Sequence, residues 1–293
     1  QETKKDYFFI IIVMASQLVQ SMLDNAVHIG SRAKYWSPKM RDSLYGVQNG
    51  VHVFDLSVTA KHLESVKAAL QDLSSKGKSI LIVGTKMQAR EIVREIGEST
   101  GAFYVNSKWV PGLLTNFPTL KKRIATYNEY EKAILSGGFE GLTKKENAMR
   151  MKELEKLHKA YAGIKEMKRT PDAILVVDGH FESLALSEAR KLGIPTFALL
   201  GSTGDIDMTT DYVPMNVNSL KPLRFVLEFL SPALKRVARE TTAAPSDRMG
   251  QVTQRRGDRS NDRRPTGRLP NRTTTEATAV AAEVAPTEAP AAE

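Results

Sequence analysis

Residues 79–84 read SILIVG. Four apolar residues stand in a row, three of them β-branched, with a serine before and a glycine after. A run that is apolar at every position, and not at alternate ones, suits a strand covered on both faces, as in the interior of a parallel sheet. Working outward, residues 86–99 are helical in pattern, with Gly101 just past their end where a C-terminal glycine belongs. Residues 58–75 place Val58, Leu63, Val66, Leu70 and Leu73 at helical spacing, after the strand-like VHVFD at 51–55. AFYV (102–105), DAILVVD (172–178, introduced by Pro171) and IPTFALLG (194–201) read as further strands. FESLALSEARKLG (181–193) and residues 218–240 read as helices. Strand and helix in alternation predict a doubly wound α/β sheet.

Residues 113–169 break the alternation. They carry two helical patterns, Leu120, Ile124, Tyr127, Ile134 and then Met151, Leu154, Leu157, Tyr161, Ile164, Met167, separated by SGGFEGLTKKE at 136–146. Two narrow apolar stripes joined by a Gly-rich turn predict an antiparallel helical hairpin, a coiled-coil arm inserted between the third and fourth strands, with Thr119 as the N-cap of its first helix. The expected organisation is an N-terminal extension at 1–17, an α/β platform from 18–112 and 170–240, the arm at 113–169, and a tail at 241–293. The tail is Ala, Thr, Pro, Arg and Glu with almost no large apolar residue, a composition that predicts disorder. It divides into an Arg-rich block at 248–272 and a Glu-containing block at 273–293. Near the start, Tyr7–Ala15 is a nine-residue apolar run, short of the roughly 20 needed to span a membrane. Met14 reads as the true start, with residues 1–13 an upstream extension, a disordered arm or a short buried strand.

The chain has 42 Lys+Arg against 33 Asp+Glu, a formal net charge of +9. Its last 53 residues hold eight Arg against seven acids, so the excess lies in the part expected to fold. A basic domain favours polyanionic partners. There is no cysteine. That excludes a disulfide framework, a thiolate zinc site and a thiol nucleophile, and fits a reducing compartment.

An α/β sheet invites a nucleotide-enzyme reading, and LIVGTKMQAR (81–90) offers strand, Gly-Thr-Lys and helix. The spaced glycines of the dinucleotide and P-loop fingerprints are missing. Asp55 and Asp178 end strands, where acids work in many sheet enzymes, but an aspartate there also caps the next helix. His28, His52, His62, His158 and His180 form no metal-ligand spacing, and His28 and His52 read as hydrogen-bonded structural histidines. No cofactor, metal or catalytic residue is expected. A nucleotide-dependent enzyme on this sheet is the alternative reading, and an adaptor working through the hairpin a third.

The basic and aromatic clusters are more informative. HIGSRAKYWSPKMR (28–41) interleaves Arg32, Lys34, Lys39 and Arg41 with Tyr35 and Trp36 and contains no acid. KWVPGLLTNFPTLKKR (108–123) repeats the formula with Lys108, Trp109, Asn116, Lys121, Lys122 and Arg123, and no acid occurs from Ser99 to Asn128. Residues 143–169 hold nine basic and four acidic residues and end near Lys165, Lys168 and Arg169. Cations neutralise phosphate, and aromatic faces stack on exposed bases. Each tryptophan either stacks on a base or locks the loop that carries the cations.

NAVHIGSRAKYWSPKM, NGVHVFDLSVTAKHL, ILIVGTKMQA, YVNSKWVPGLLTNFPTLKKRI, GIKEMKRTPDAILVVD and EARKLGIPTFALL, in this order from about residue 18 to 232, resemble the bacterial-type ribosomal protein S2 family. The motif around Trp109 and Thr115-Asn116-Phe117 is the most specific part. The resemblance implies a flavodoxin-like (Rossmann-like) parallel sheet with a protruding helical hairpin. It implies a non-enzymatic rRNA-binding constituent of the small subunit, seated between head and body on the solvent side. Neighbouring small-subunit proteins are implied partners, as is the large mRNA-binding protein S1, with location on cytoplasmic or organellar ribosomes. The sequence departs from the family pattern at Ser31, at Gly201–Ile206 and at Met215–Asn218, where acids or a histidine are usual. Those losses put in doubt any cation bound at that end of the sheet.

Overall fold

The computed structural model describes residues 17–136 and 143–236. The expectations for the N-terminal extension, the Gly-rich turn at 137–142 and the tail therefore lie outside the described residues. A helix, α1, covers residues 17–24. Three short strands follow: β1 (Ile29–Arg32), β2 (Leu44–Gln48) and β3 (Val51–Phe54). They form an antiparallel sheet of order β1-β3-β2. The VHVFD strand expected as the first of the parallel sheet thus belongs to a separate small sheet. The reason is the turn before it: Asn49 and Gly50 both have positive φ (50° and 75°), the requirement of a two-residue hairpin turn.

The main sheet has five parallel strands, β4 (Ile80–Val83), β5 (Phe103–Val105), β6 (Ala173–Val177), β7 (Thr196–Leu200) and β8 (Asp211–Pro214), in the order β5-β4-β6-β7-β8. That is the flavodoxin-like order, with the direction of winding reversing between β4 and β6. The sequence reading passed over β8. As an edge strand of four residues ending in Pro214, it carries little β signal.

Side chains alternate across this sheet. Ile80, Ile82, Leu175, Val177 and Leu199 join a core with α2 (Leu56–Ser75), α3 (Arg90–Thr100) and α7 (Leu220–Leu230). Leu81, Val83, Ile174, Val176 and Leu200 join a second core with α6 (Ser183–Lys191), the loop after β5 and the base of the arm. Asp55 caps α2 by accepting from the Ser57 amide at 2.8 Å, so the cap role is the one realised. Gly101, with φ +70°, ends α3.

The arm consists of α4 (Phe117–Leu135) and α5 (Lys144–Tyr161). Asn116, not Thr119, is the N-cap of α4, and its side chain makes no capping hydrogen bond. Thr143 and Glu146 form a capping box at the start of α5. Leu120, Ile124, Tyr127, Tyr161, Ile164 and Met167 are buried at the arm's base, and Leu154 and Leu157 are half-buried. Further out, Leu135 and Met151 are exposed. The arm's return meets β5 at Gly163, where an added Cβ would run into the carbonyl and ring of Tyr104.

Candidate nucleic-acid interface

The loop from residue 106 to 116 leaves the carboxyl end of β5 and carries Lys108, Trp109 and Asn116. It is organised by one buried carboxylate, Glu188 of α6. Glu188 Oε1 accepts from the Trp109 indole Nε1 at 3.0 Å and the Gly112 amide at 2.8 Å. Its Oε2 accepts from the Leu114 amide at 3.1 Å and from the Thr115 amide and hydroxyl at 3.3 Å each. Burial pushes this carboxyl up, but the donated hydrogen bonds from Gly112, Trp109, Leu114 and Thr115 outweigh it and hold Glu188 below the usual glutamate range. Trp109 is only 6% exposed, so of the two roles open to it the loop-locking one is realised. Gly112, at φ +87°, makes the turn that aims the loop's amides at Glu188. The sequence reading missed Glu188. Its signal was an acid sharing the helical stripe of Ala185 and Ala189, both fully buried.

The crevice between β4 and β6, where sheets of this order bind ligands, is closed by the chain itself. The Thr85 amide and hydroxyl both donate to Glu182 Oε1, at 2.7 and 2.6 Å. Lys86 Nζ donates to Asp178 Oδ2 at 2.7 Å and Asn218 Oδ1 at 2.6 Å. Burial raises the Glu182 carboxyl above its ordinary value, against the lowering effect of the Thr85 hydrogen bonds. Gly84 is a packing glycine: a Cβ there would stand 2.8 Å from Val93 Cγ2. The donors a phosphate would need are thus committed within the protein. Among the described residues no group of three or more His, Asp or Glu is placed to hold a metal ion. No described helix is long and apolar enough to cross a membrane.

The expected RNA-facing residues sort by position and by pairing. Arg32 ends β1; Lys34 lies in the 3-10 turn Ala33–Tyr35, and Lys39 and Arg41 in the 3-10 helix Pro38–Ser43. This segment docks on the exit of β7: the Ser31 amide donates to Ser202 Oγ at 2.9 Å, and the Ser37 amide to the Ser202 carbonyl at 2.8 Å. It therefore shares the carboxyl edge of the parallel sheet with Lys108. Arg32, Lys34, Arg41, Lys108, Lys121, Lys122 and Arg123 are exposed and make no ion pair among the described residues. Lys39, by contrast, is held between Asp205 (2.7 Å) and Asp207 (2.5 Å).

The cations at the arm's return lie elsewhere. Lys165 pairs with Glu131 at 3.3 Å and Arg169 with Asp172 at 2.9 Å, while Lys168 is exposed and unpaired among the described residues. Asp172 also accepts from the Ser79 amide at 2.9 Å, which fixes this group at the amino ends of β4 and β6. The sequence reading expected both ends of the arm to present charge together. Instead, Glu131 stands eight residues beyond Arg123 on α4, about 12 Å along the helix axis. The histidine expectation also changes. His52 is buried with neither ring nitrogen hydrogen-bonded among the described residues, and His28 Nδ1 is likewise buried without a partner among them.

The fold is a flavodoxin-like parallel sheet with an inserted helical arm, its crevice filled by its own side chains and its rim carrying cations without ion pairs among the described residues. The model of the family described as ribosomal protein S2 matches residues 22–236. The small ribosomal subunit protein uS2 of Fusobacterium nucleatum is 40% identical over 217 residues, covering 74% of this chain and 88% of that protein. The protein of the same name from Coprothermobacter proteolyticus is 38% identical over 221 residues, 75% of this chain and 82% of its own length. That of Vibrio cholerae is 36% identical over 239 residues, 82% and 99% respectively. The chain belongs to the ribosomal protein S2 family, a family of structural, non-enzymatic constituents of the small ribosomal subunit.

Proposed function

We propose that the chain binds small-subunit rRNA through the carboxyl edge of its sheet and the start of the arm, at the junction of head and body, and so supports translation. The observation that carries this reading is the set of seven exposed cations without ion-pair partners among the described residues, Arg32, Lys34, Arg41, Lys108, Lys121, Lys122 and Arg123. Three of them stand near the N-terminus of α4, whose first turn holds no acid and whose N-cap side chain is uncommitted. Cations beside the positive end of a helix dipole are unfavourable unless an anion joins them. An RNA phosphate supplies that anion. In this reading the partly exposed Trp36 stacks on a base, and Trp109 and Asn116 act by shaping the loop.

In this reading the paired cations Lys39, Lys165 and Arg169 contribute less, since each must first give up a carboxylate, and Lys168 adds a single cation at the return. Residues 18–112 and 170–240 serve as platform and 113–169 as arm. Neighbouring small-subunit proteins and the mRNA-binding protein S1 are the protein partners that the family resemblance suggests. Sucrose-gradient fractionation of a cell lysate tests the reading. The protein is expected with the small subunit, and to remain there when salt is raised moderately. Migration in the soluble fractions at low salt would overturn it.

A further inference from the structure

β3 presents an unusual side chain at this same edge. His52 is 6% exposed, yet neither Nδ1 nor Nε2 has a hydrogen-bond partner among the described residues. A neutral imidazole carries one donor and one acceptor, and buried polar groups left unpaired call for an explanation. Over the imidazole lies the Trp36 ring, with centroids 5.2 Å apart and planes at 40°. Trp36 is 38% exposed, and its indole N–H makes no hydrogen bond among the described residues, so packing alone holds the ring. The backbone is fixed beside it, where the Ser37 amide donates to the Ser202 carbonyl. Arg32, Lys34 and Arg41 flank the ring along the chain, without ion pairs among the described residues. Gly30 lets β1 close tightly on this point, since a Cβ there would stand 2.9 Å from the His52 carbonyl.

We infer that His52 is a concealed RNA-contacting residue and Trp36 its cover. On binding, the indole leaves the imidazole for the face of an unpaired base, and His52 hydrogen-bonds the sugar–phosphate backbone now held by the neighbouring cations. The inference rests on the reading of this edge as an rRNA interface. The chemistry of the two orphaned nitrogens specifies the group contacted. A phosphate oxygen only accepts and would satisfy one nitrogen. A ribose 2′-hydroxyl both donates and accepts, so it also serves the nitrogen that needs a donor. The site therefore selects RNA over DNA.

The test compares wild-type protein, His52→Leu and His52→Gln for binding to small-subunit rRNA transcripts. Each protein is tested on ordinary transcripts and on transcripts carrying 2′-fluoro groups, which keep the A-form but lose the hydroxyl donor. His52→Leu removes the unpaired polar atoms, so it is expected to raise the melting temperature while weakening rRNA binding about tenfold. His52→Gln, with a donor and an acceptor, is expected to bind more nearly as wild type does. The 2′-fluoro transcript is expected to weaken wild type and to leave His52→Leu unchanged. Trp36 emission, isolated by difference from Trp36→Phe, is expected to change when RNA is added. Equal rRNA affinity for all three proteins, or an unchanged Trp36 emission in bound wild type, would overturn the inference. Failure of wild type to bind rRNA at all would instead overturn the proposed function.

Discussion

The Trp109 indole and the Glu188 carboxylate meet at 3.0 Å, buried, across 79 residues of sequence. The same carboxylate gathers three backbone amides and a hydroxyl from the loop that follows. One side chain of α6 thereby sets the shape of a loop on another strand, and with it the place of Lys108 and the start of α4.

Replacing Glu188 with Ala strips these donors of their acceptor. Unmet buried donors cost about 1–3 kcal/mol each, with part recovered by entering water, so a loss of about 2–4 kcal/mol is expected in urea unfolding. The pH dependence follows from the lowered carboxyl. Its stabilisation is complete above the ordinary glutamate value of 4.5 and fades as pH falls through the folded value, because the unfolded chain takes up the proton first. Glu182 is raised and works in the opposite sense, weakening the fold as pH rises just above 4.5. Unfolding curves between pH 6 and about 3 should therefore lose steepness against pH in Glu188→Ala and gain it in Glu182→Gln.

Changing Lys121, Lys122 and Arg123 together to Ala should leave the melting temperature within a degree or two, since all three are exposed and make no ion pair among the described residues. The slope of log affinity for rRNA against log salt should become shallower by about 0.7–0.9 for each phosphate that is no longer neutralised. The paired Lys165 and Arg169, changed together, should alter that slope less. Equal effects from the two sets would remove the distinction drawn between the sheet's edges.

Lys86→Met would leave Asp178 buried beside Asn218 without its cation. Breaking a buried pair from one side costs about 3–5 kcal/mol, and replacing both partners recovers much of it. Lys86→Met should thus be clearly less stable than the double variant Lys86→Met/Asp178→Asn. Neither should change the affinity for rRNA, and ATP or NAD should leave the melting temperature of wild type unmoved.

Gly163→Ala should loosen the seating of the arm. The new methyl would meet the backbone carbonyl of Tyr104, which cannot rotate away, so a loss of about 1–3 kcal/mol is expected. Gly46→Ala serves as the control, because nothing lies within 4 Å of a Cβ there. Amide exchange at the base of α5 reports the difference directly.

Much of this architecture is legible in the chain because burial on both faces writes itself as unbroken apolar runs. Ile80–Val83, Ala173–Val177 and residues 197–200 are such runs, and each reads as a strand. The arm is legible for the complementary reason, since each helix buries a single stripe. Half-exposed strands are not: β1 and β2 are short, contain glycine and bury little. The Asn49-Gly50 turn, which decides that β3 pairs backwards, is a local signal outweighed by the alternation around it. The cationic residues of the site are visible by type, but which of them are already paired is not. Lys39 meets Asp205 and Asp207 across more than 160 residues, and only folding brings such charges together.

If rRNA is the partner, the cluster of cations without ion pairs at the carboxyl edge and the start of α4 also bears on how the protein travels to it. Free charge gathered along the carboxyl edge and the start of α4 gives that part of the surface a local positive field. A polyanion's field would act on that cluster at a distance, before the two surfaces touch, and turn the diffusing protein to face it. Salt would then be felt first in the speed of encounter, and only later in the lifetime of the complex.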